Sequence, residues 1–268
     1  MGVVIAPSFT SPVQPFHHPR VAWRRRFGNF SASTEAEGFD AENALNERTD
    51  TFWKPTALPA TFSIIFAPNP IISYCGIAAH TLGSSGCTVF VEQFVAGLFG
   101  WETVAEITPT NDDPLLFLFS KINRSEMRVR ITGGATMPLV GVLWMGDVTE
   151  WPRPAVYAPS VSFQRAKRSE FSANVTEGGQ IVGRKLIRRE IRPQMAVEYL
   201  SESWIETEFD AFAEHAETLP FFVADRPADY PDSVAYAFAD ADLVPERAYP
   251  KASIANSVTL EMRAYRAK

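Results

Sequence analysis

Thr61-Phe62-Ser63-Ile64-Ile65-Phe66, closed by Pro68-Asn69-Pro70, is a run of β-branched and aromatic residues that stops at two prolines. Such side chains fit a pleated, half-buried surface and proline cannot donate to a ladder, so the run reads as one short strand followed by a turn. Outward from it, similar runs occupy residues 71–79, 87–92, 115–119, 127–131 and 140–145. Turn signals separate them: Gly83-Ser84-Ser85-Gly86, Asn111-Asp112-Asp113-Pro114 and Gly133-Gly134. Short strands at this spacing, without a long helical period, predict a β-sandwich of jelly-roll type over residues 1–150. One short helix is expected within residues 35–45.

The composition shifts at Trp151-Pro152-Arg153-Pro154-Ala155-Val156-Tyr157-Ala158-Pro159. Three prolines this close exclude a helix interior or a central strand, so residues 151–159 read as an extended linker between two domains. Residues 160–268 then read as a mixed α+β domain, which makes the whole chain mainly β. Residues 161–175 and 181–191 flank Thr176-Glu177-Gly178-Gly179-Gln180, the pattern of a hairpin with a glycine turn. A helix follows, with Ser203 as its expected cap and Glu206 completing a capping box. Trp204, Ile205, Phe209, Phe212 and Ala216 share one stripe, and Pro220 ends the pattern. Residues 221–224, 234–238 and 254–265 read as closing strands packed under that helix.

The 268 residues are 46% hydrophobic and 21% charged, with a net charge of −6, which fits a soluble globular chain and argues against nucleic-acid binding over the whole surface. No stretch has the run of apolar residues, roughly 18 or more, that a membrane span needs, so no membrane insertion is expected. Two cysteines and four histidines are too few for a disulfide framework or an ordinary structural zinc site. Cys75 and Cys87 fall on consecutive expected strands, so a pairing across a hairpin stays open beside two reduced, buried thiols. His80 reads as a core or edge histidine ahead of a ligand, His215 as solvated, and Asp112-Asp113 as a turn ahead of a calcium loop. The phosphate-cradling loop, the dinucleotide glycine fingerprint and the nucleophile elbow are all missing. Neither an enzyme nor a cofactor is expected.

Charge is segregated along the second half. Arg165, Lys167, Arg168, Arg184, Lys185, Arg188, Arg189 and Arg192 face only Glu170, Glu177 and Glu190, whereas from Glu202 to Asp242 eleven acids face the single Arg226. Three readings stay open: two solvated faces, head-to-tail complementarity between copies of the chain, or an acidic wall along which a polyanion slides. For the second, the expected contacts are Arg184, Lys185, Arg188 and Arg189 against Glu206, Glu208 and Asp210.

Residues 20–148 resemble a discoidin-like (galactose-binding-like) domain. The likeness lies in Gly38-Phe39-Asp40-Ala41-Glu42-Asn43-Ala44-Leu45-Asn46, then Thr49-Asp50-Thr51-Phe52-Trp53, and later Arg128-Val129-Arg130-Ile131. Asn46-Glu47-Arg48 departs from the family's calcium loop, so no metal is implied there, and Trp53 is assigned to the core ahead of sugar stacking. The candidate glycan contacts are Trp23, Arg24, Trp101, Asn111 and Asp112.

The whole chain is similar to tail-tip proteins of long-tailed bacteriophages, of distal-tail or minor-tail type. The likeness is carried by Gly76-Ile77-Ala78-Ala79-His80-Thr81-Leu82-Gly83, Asn174-Val175-Thr176-Glu177-Gly178-Gly179-Gln180, Pro220-Phe221-Phe222 and Tyr230-Pro231-Asp232. The resemblance implies a virion structural component at the distal end of the tail, assembled in the host cytoplasm. Its implied partners are further copies in a ring, a hexamer by family analogy, with the tail tube protein, the hub and genomic DNA passing through the lumen. Many distal-tail proteins carry the ring-forming domain first, a departure that leaves distal-tail and minor-tail assignments both open. The alternative function is a carbohydrate-binding module for host glycans. A two-carboxylate glycosidase has acids in plenty but no motif that places them.

Overall fold

The computed structural model describes residues 2–156, 163–248 and 255–267. Tyr157 to Pro159 of the proline run, the start of the expected hairpin strand at Val161 and Ile254 of the last strand lie outside the described residues. Among those described, ten strands precede the proline run: β1 (Val3–Ile5), β2 (Arg20–Arg25), β3 (Asn29–Ala32), β4 (Ala60–Ile65), β5 (Ile71–His80), β6 (Cys87–Val95), β7 (Gly100–Ile107), β8 (Leu115–Asn123), β9 (Glu126–Gly133) and β10 (Val140–Glu150). Seven follow it: β11 (Lys167–Val175), β12 (Ile181–Ile191), β13 (Gln194–Leu200), β14 (Phe221–Ala224), β15 (Val234–Ala239), β16 (Glu246–Ala248) and β17 (Ala255–Ala264). The chain is mainly β, as expected.

Two sheets form the sandwich. The smaller runs β3-β4-β9-β6-β7, and alternation puts Phe62, Ile64, Val89, Val91, Val129 and Ile131 inside. They share one core with Ile77, Leu116, Phe117 and Val142 of the larger sheet. The larger sheet runs β1-β8-β5-β10-β2-β14-β15-β17-β12-β11, with β13 and β16 also on β17. The connection from β5 to β6 crosses between the sheets. Cys75 and Cys87 therefore do not face each other across a hairpin, and both are free, buried thiols.

β2 joins the two halves of the chain. It pairs with β10 on one side (Gly146 opposite Arg25) and with β14 on the other (Ala22 opposite Phe222). Beyond β14 the sheet curls back, and the amides of Gly2 and Val3 donate to the Pro231 carbonyl at 2.8 and 2.6 Å. The Phe222 ring fills the space that Gly76 leaves open, where a Cβ would lie 2.7 Å from the ring. Tyr74, Trp144, Phe222, Val234 and Tyr236 consequently join the first-half core, a packing that no local period announces.

A second core lies beneath helix α1, which is α-helical at Glu202–Trp204 and Asp210–Ala216 with a π turn at Ile205–Phe209 between them. The stripe expectation holds for Ile205, Phe209, Phe212 and Ala216, all buried. The cap expectation does not. Ser201 is extended and its Oγ accepts from the Trp204 amide at 3.3 Å, whereas Ser203 already lies inside the first turn. The helix expected within 35–45 is a single 3-10 turn at Ala41–Leu45. Trp151 is buried against Trp204 (5.0 Å between rings) and Phe209, and Ala155 bridges to Val197, so residues 151–156 pack onto this second core.

Candidate binding cleft

Where β2, β10 and the end of α1 meet, a cleft of about 190 Å³ opens at the mouth of the curled sheet. Trp23, Arg24, Arg25 and Phe27 come from β2 and the residues after it, Trp144 from β10, His215 and Leu219 from the end of α1 and beyond, and Glu47 from the loop after the 3-10 turn. Along β2, Val21 is buried in the second core and Trp23 packs against it, while the pairing with β10 shifts register between Asp147 and Thr149 and both Arg24 and Arg25 reach the rim.

The aromatic walls are fixed by packing and by hydrogen bonds. Trp23 donates from Nε1 to Thr149 Oγ1 at 2.9 Å, and its ring lies 5.2 Å from His215 and 6.1 Å from Phe212. Trp144 stands edge-on to Phe222 and Tyr236 at 5.9 and 5.6 Å. Tyr236 donates to the Glu47 carbonyl at 2.8 Å and so anchors the loop that closes the cleft. His215 is half-buried rather than solvated. Burial lowers its pKa, with the bond between Nε2 and the Pro220 carbonyl (3.0 Å) opposing and nearby Arg25 adding to the shift. The ring is therefore neutral at pH 7 and donates to that carbonyl.

The cations line the rim. Arg24 lies over the Trp23 ring at 4.8 Å and pairs with Glu208 at 2.8 Å. Arg25 lies over Phe27 at 4.2 Å and Trp144 at 4.9 Å, and donates to the Leu45 carbonyl. Burial draws its pKa down, opposed by Glu47 and the two phenols Tyr74 and Tyr236. One donor is left over: Trp144 is 3% exposed and its Nε1 has no partner among the described residues. A buried indole N–H without an acceptor costs roughly 1–3 kcal/mol.

The expected glycan residues fall into three places. Trp23 and Arg24 line the cleft. Trp101 lies on β7 in the smaller sheet, edge-on to Phe94 at 5.6 Å and covered by Arg128 at 4.1 Å. Asn111 and Asp112 are spent on loop structure: Asn111 Oδ1 accepts from the Asp113 amide in its own loop, and Asp112 Oδ1 accepts from the Ser84 amide of the loop between β5 and β6 at 2.9 Å. His80 belongs to the same structural tie. Its Nε2 donates to the Asp113 carbonyl at 2.9 Å, its Nδ1 accepts from Leu82, and burial brings its pKa down to about 4. No group of three or more potential metal ligands occurs among the described residues. Sequence reading missed Glu47 and Trp144: the register that pairs β2 with β10 brings Trp144 there, and the bond from Tyr236 holds the loop of Glu47.

The residues expected to meet across copies are partly engaged within the chain. Arg188 pairs with Glu170 at 2.6 Å and Glu190 at 3.2 Å, Arg184 lies over Phe171 at 3.4 Å, and Glu208 holds Arg24. Lys185, Arg189, Glu206 and Asp210 are exposed.

No family model and no curated protein matches the chain. Solved carbohydrate-binding modules overlap part of it. The family 32 module of Clostridium perfringens NanJ, in complex with galactose, is 20% identical over 48% of this chain and 99% of its own (TM-score 0.40). A family 32 module of the CpGH89 protein from the same organism, in complex with GalNAc-β-1,3-galactose, is 11% identical over 44% and 94% (TM-score 0.39). A chitosan-binding module of a Paenibacillus chitosanase/glucanase is 17% identical over 47% and 97% (TM-score 0.38).

Proposed function

We propose that this chain is a non-catalytic recognition protein whose cleft binds carbohydrate. The observation that carries the reading is a cleft walled by Trp23 and Trp144 and rimmed by Arg24 and Arg25. Sugars present apolar ring faces and many acceptor oxygens, which suit aromatic walls with a few fixed donors. The full chain applied to a glycan array, followed by calorimetric titration of the best sugar, tests it. Trp23→Ala removes one wall and is expected to weaken binding about tenfold or more. An array on which no sugar is retained overturns the reading.

A second reading is favoured by a different feature, the exposed β11–β12 hairpin with its basic side chains. On it, the chain is a structural protein of a phage tail tip, assembled from copies of itself in a ring between tail tube and hub. Reversing charge with Arg188→Glu and Arg189→Glu is expected to shift the assembled species toward monomer in native mass spectrometry while circular dichroism stays unchanged. An identical oligomer in variant and parent removes the electrostatic part of this reading.

A further inference from the structure

Strands β11 and β12 pair with each other along nine positions, from Lys167 opposite Ile191 to Val175 opposite Ile181. Beyond the root they touch almost nothing else among the described residues. Ile191 alone pairs with β17, opposite Ala264, and it is the only residue of β12 that is buried. From Ile181 to the root the arm extends roughly 33 Å at strand rise. Isolated two-stranded hairpins are marginal in water, yet this one carries Phe171, Ile181, Val182 and Ile187 at 41%, 81%, 68% and 57% exposure. Its tip is also basic, since Arg184 lies over Phe171 and neither it nor Lys185 has an acidic partner among the described residues.

A groove of about 670 Å³ lies between the end of α1 and the segment after β15. Its apolar lining includes Ala216, Leu243 and Val244, and its acids are Glu217, Asp240 and Asp242. Asp240 is satisfied by Arg192 at 2.7 Å and Arg263 at 3.1 Å, whereas Glu217 and Asp242 have no cationic partner among the described residues. Arg192 is the residue after β12, so the groove sits at the root of the arm. An extended hairpin cannot fold its tip onto its own root.

We propose that the tip of the arm docks into the root groove of a second copy of this chain, with Ile181 and Val182 on Leu243 and Val244 and with Arg184 and Lys185 facing Glu217 and Asp242. Tip and groove are different surfaces, so the contact is heterologous and repeats from copy to copy, closing as a ring or extending as a filament. Matching apolar centres and opposite charges supply affinity and orientation. The inference rests on the self-assembly in the second reading above and is independent of glycan binding.

Sedimentation velocity of the full chain across a concentration series tests it, with three variants. Ile181→Asp/Val182→Asp and Glu217→Lys/Asp242→Lys are each expected to raise the assembly midpoint about tenfold or more, as loss of central interface contacts does. Both lie on exposed side chains, and near-UV circular dichroism reports whether each variant is folded. Combining Glu217→Lys/Asp242→Lys with Arg184→Glu/Lys185→Glu swaps the charges across the contact and is expected to restore assembly. Assembly that neither single set alters overturns the docking while leaving self-assembly standing. A parent chain that stays monomeric throughout overturns both, and failure of the swap to restore assembly removes the charge pairing.

Discussion

Replacing Trp53 with alanine is expected to lower the free energy of unfolding by about 3–5 kcal/mol, the largest loss from any single truncation in the sandwich. Trp53 is fully buried, and its ring meets Phe62 edge-on at 5.4 Å. Its Nε1 donates to the Thr34 carbonyl at 3.0 Å. Its backbone exchanges two hydrogen bonds with Val140 at the start of β10, at 2.8 and 3.0 Å, which ties the loop before β4 to the central strand of the larger sheet. Truncation leaves a cavity between two sheets that cannot collapse independently, and it deprives a carbonyl of its donor. Urea denaturation should show a lower midpoint at unchanged slope. Trp53→Phe, which keeps most of the packing and loses only the donor, should fall between the two. A midpoint for the alanine variant equal to that of the parent would mean that the sandwich does not depend on this residue.

Trp53 also marks how far the sequence could be read. The short β-branched runs announce β4, β5, β6, β8, β9 and β10 because each half-buried strand alternates or carries a buried aromatic. β2 announces nothing, since Arg20-Val21-Ala22-Trp23-Arg24-Arg25 looks like a charged connection. Yet it is the strand that joins both halves. Arg20 is fully buried there, because its guanidinium donates to the carbonyls of Gln14, Pro15, His18 and Pro19 and lies 3.5 Å from Glu150. A charge whose two terminal nitrogens are engaged by four carbonyls behaves as core although its Nε has no partner among the described residues, and the acceptors come from a proline-rich stretch with no period to betray them. The cleft was hidden for the same reason. Trp23 and Arg24 stand out by composition, but Glu47, Trp144 and His215 reach them only through pairings more than a hundred residues apart or through α1. Trp101 and Asp112 share that composition and are spent on local contacts, a distinction only the register draws.

Glu92→Gln is expected to cost about 3 kcal/mol at pH 7, the second-largest effect, and to change how stability depends on acid. Glu92 lies on the outer face of the smaller sheet with its side chain 5% exposed, and Arg128 and Arg130 reach it from β9 at 2.6 and 2.8 Å. Those guanidiniums cover Trp101 and Phe90 at 4.1 and 4.0 Å, so one carboxylate orders two stacked cation–ring pairs across β6, β7 and β9. Burial raises the Glu92 pKa, but the hydrogen bonds and charges of the two arginines outweigh it, and the net shift is downward. A depressed folded pKa stabilises the fold fully above the unfolded value, about 4.3, and that contribution is lost as pH falls through the folded pKa. The amide cannot ionise and leaves both guanidiniums without their counter-charge, which accounts for a cost at the lower end of that for breaking a buried pair, since the arginines are 21% and 28% exposed. Stability measured from pH 7 down to pH 3 should show a gap between parent and Glu92→Gln that is constant at neutral pH and narrows below about pH 4. A gap that persists undiminished in acid would assign the loss to packing instead of to the carboxylate's charge.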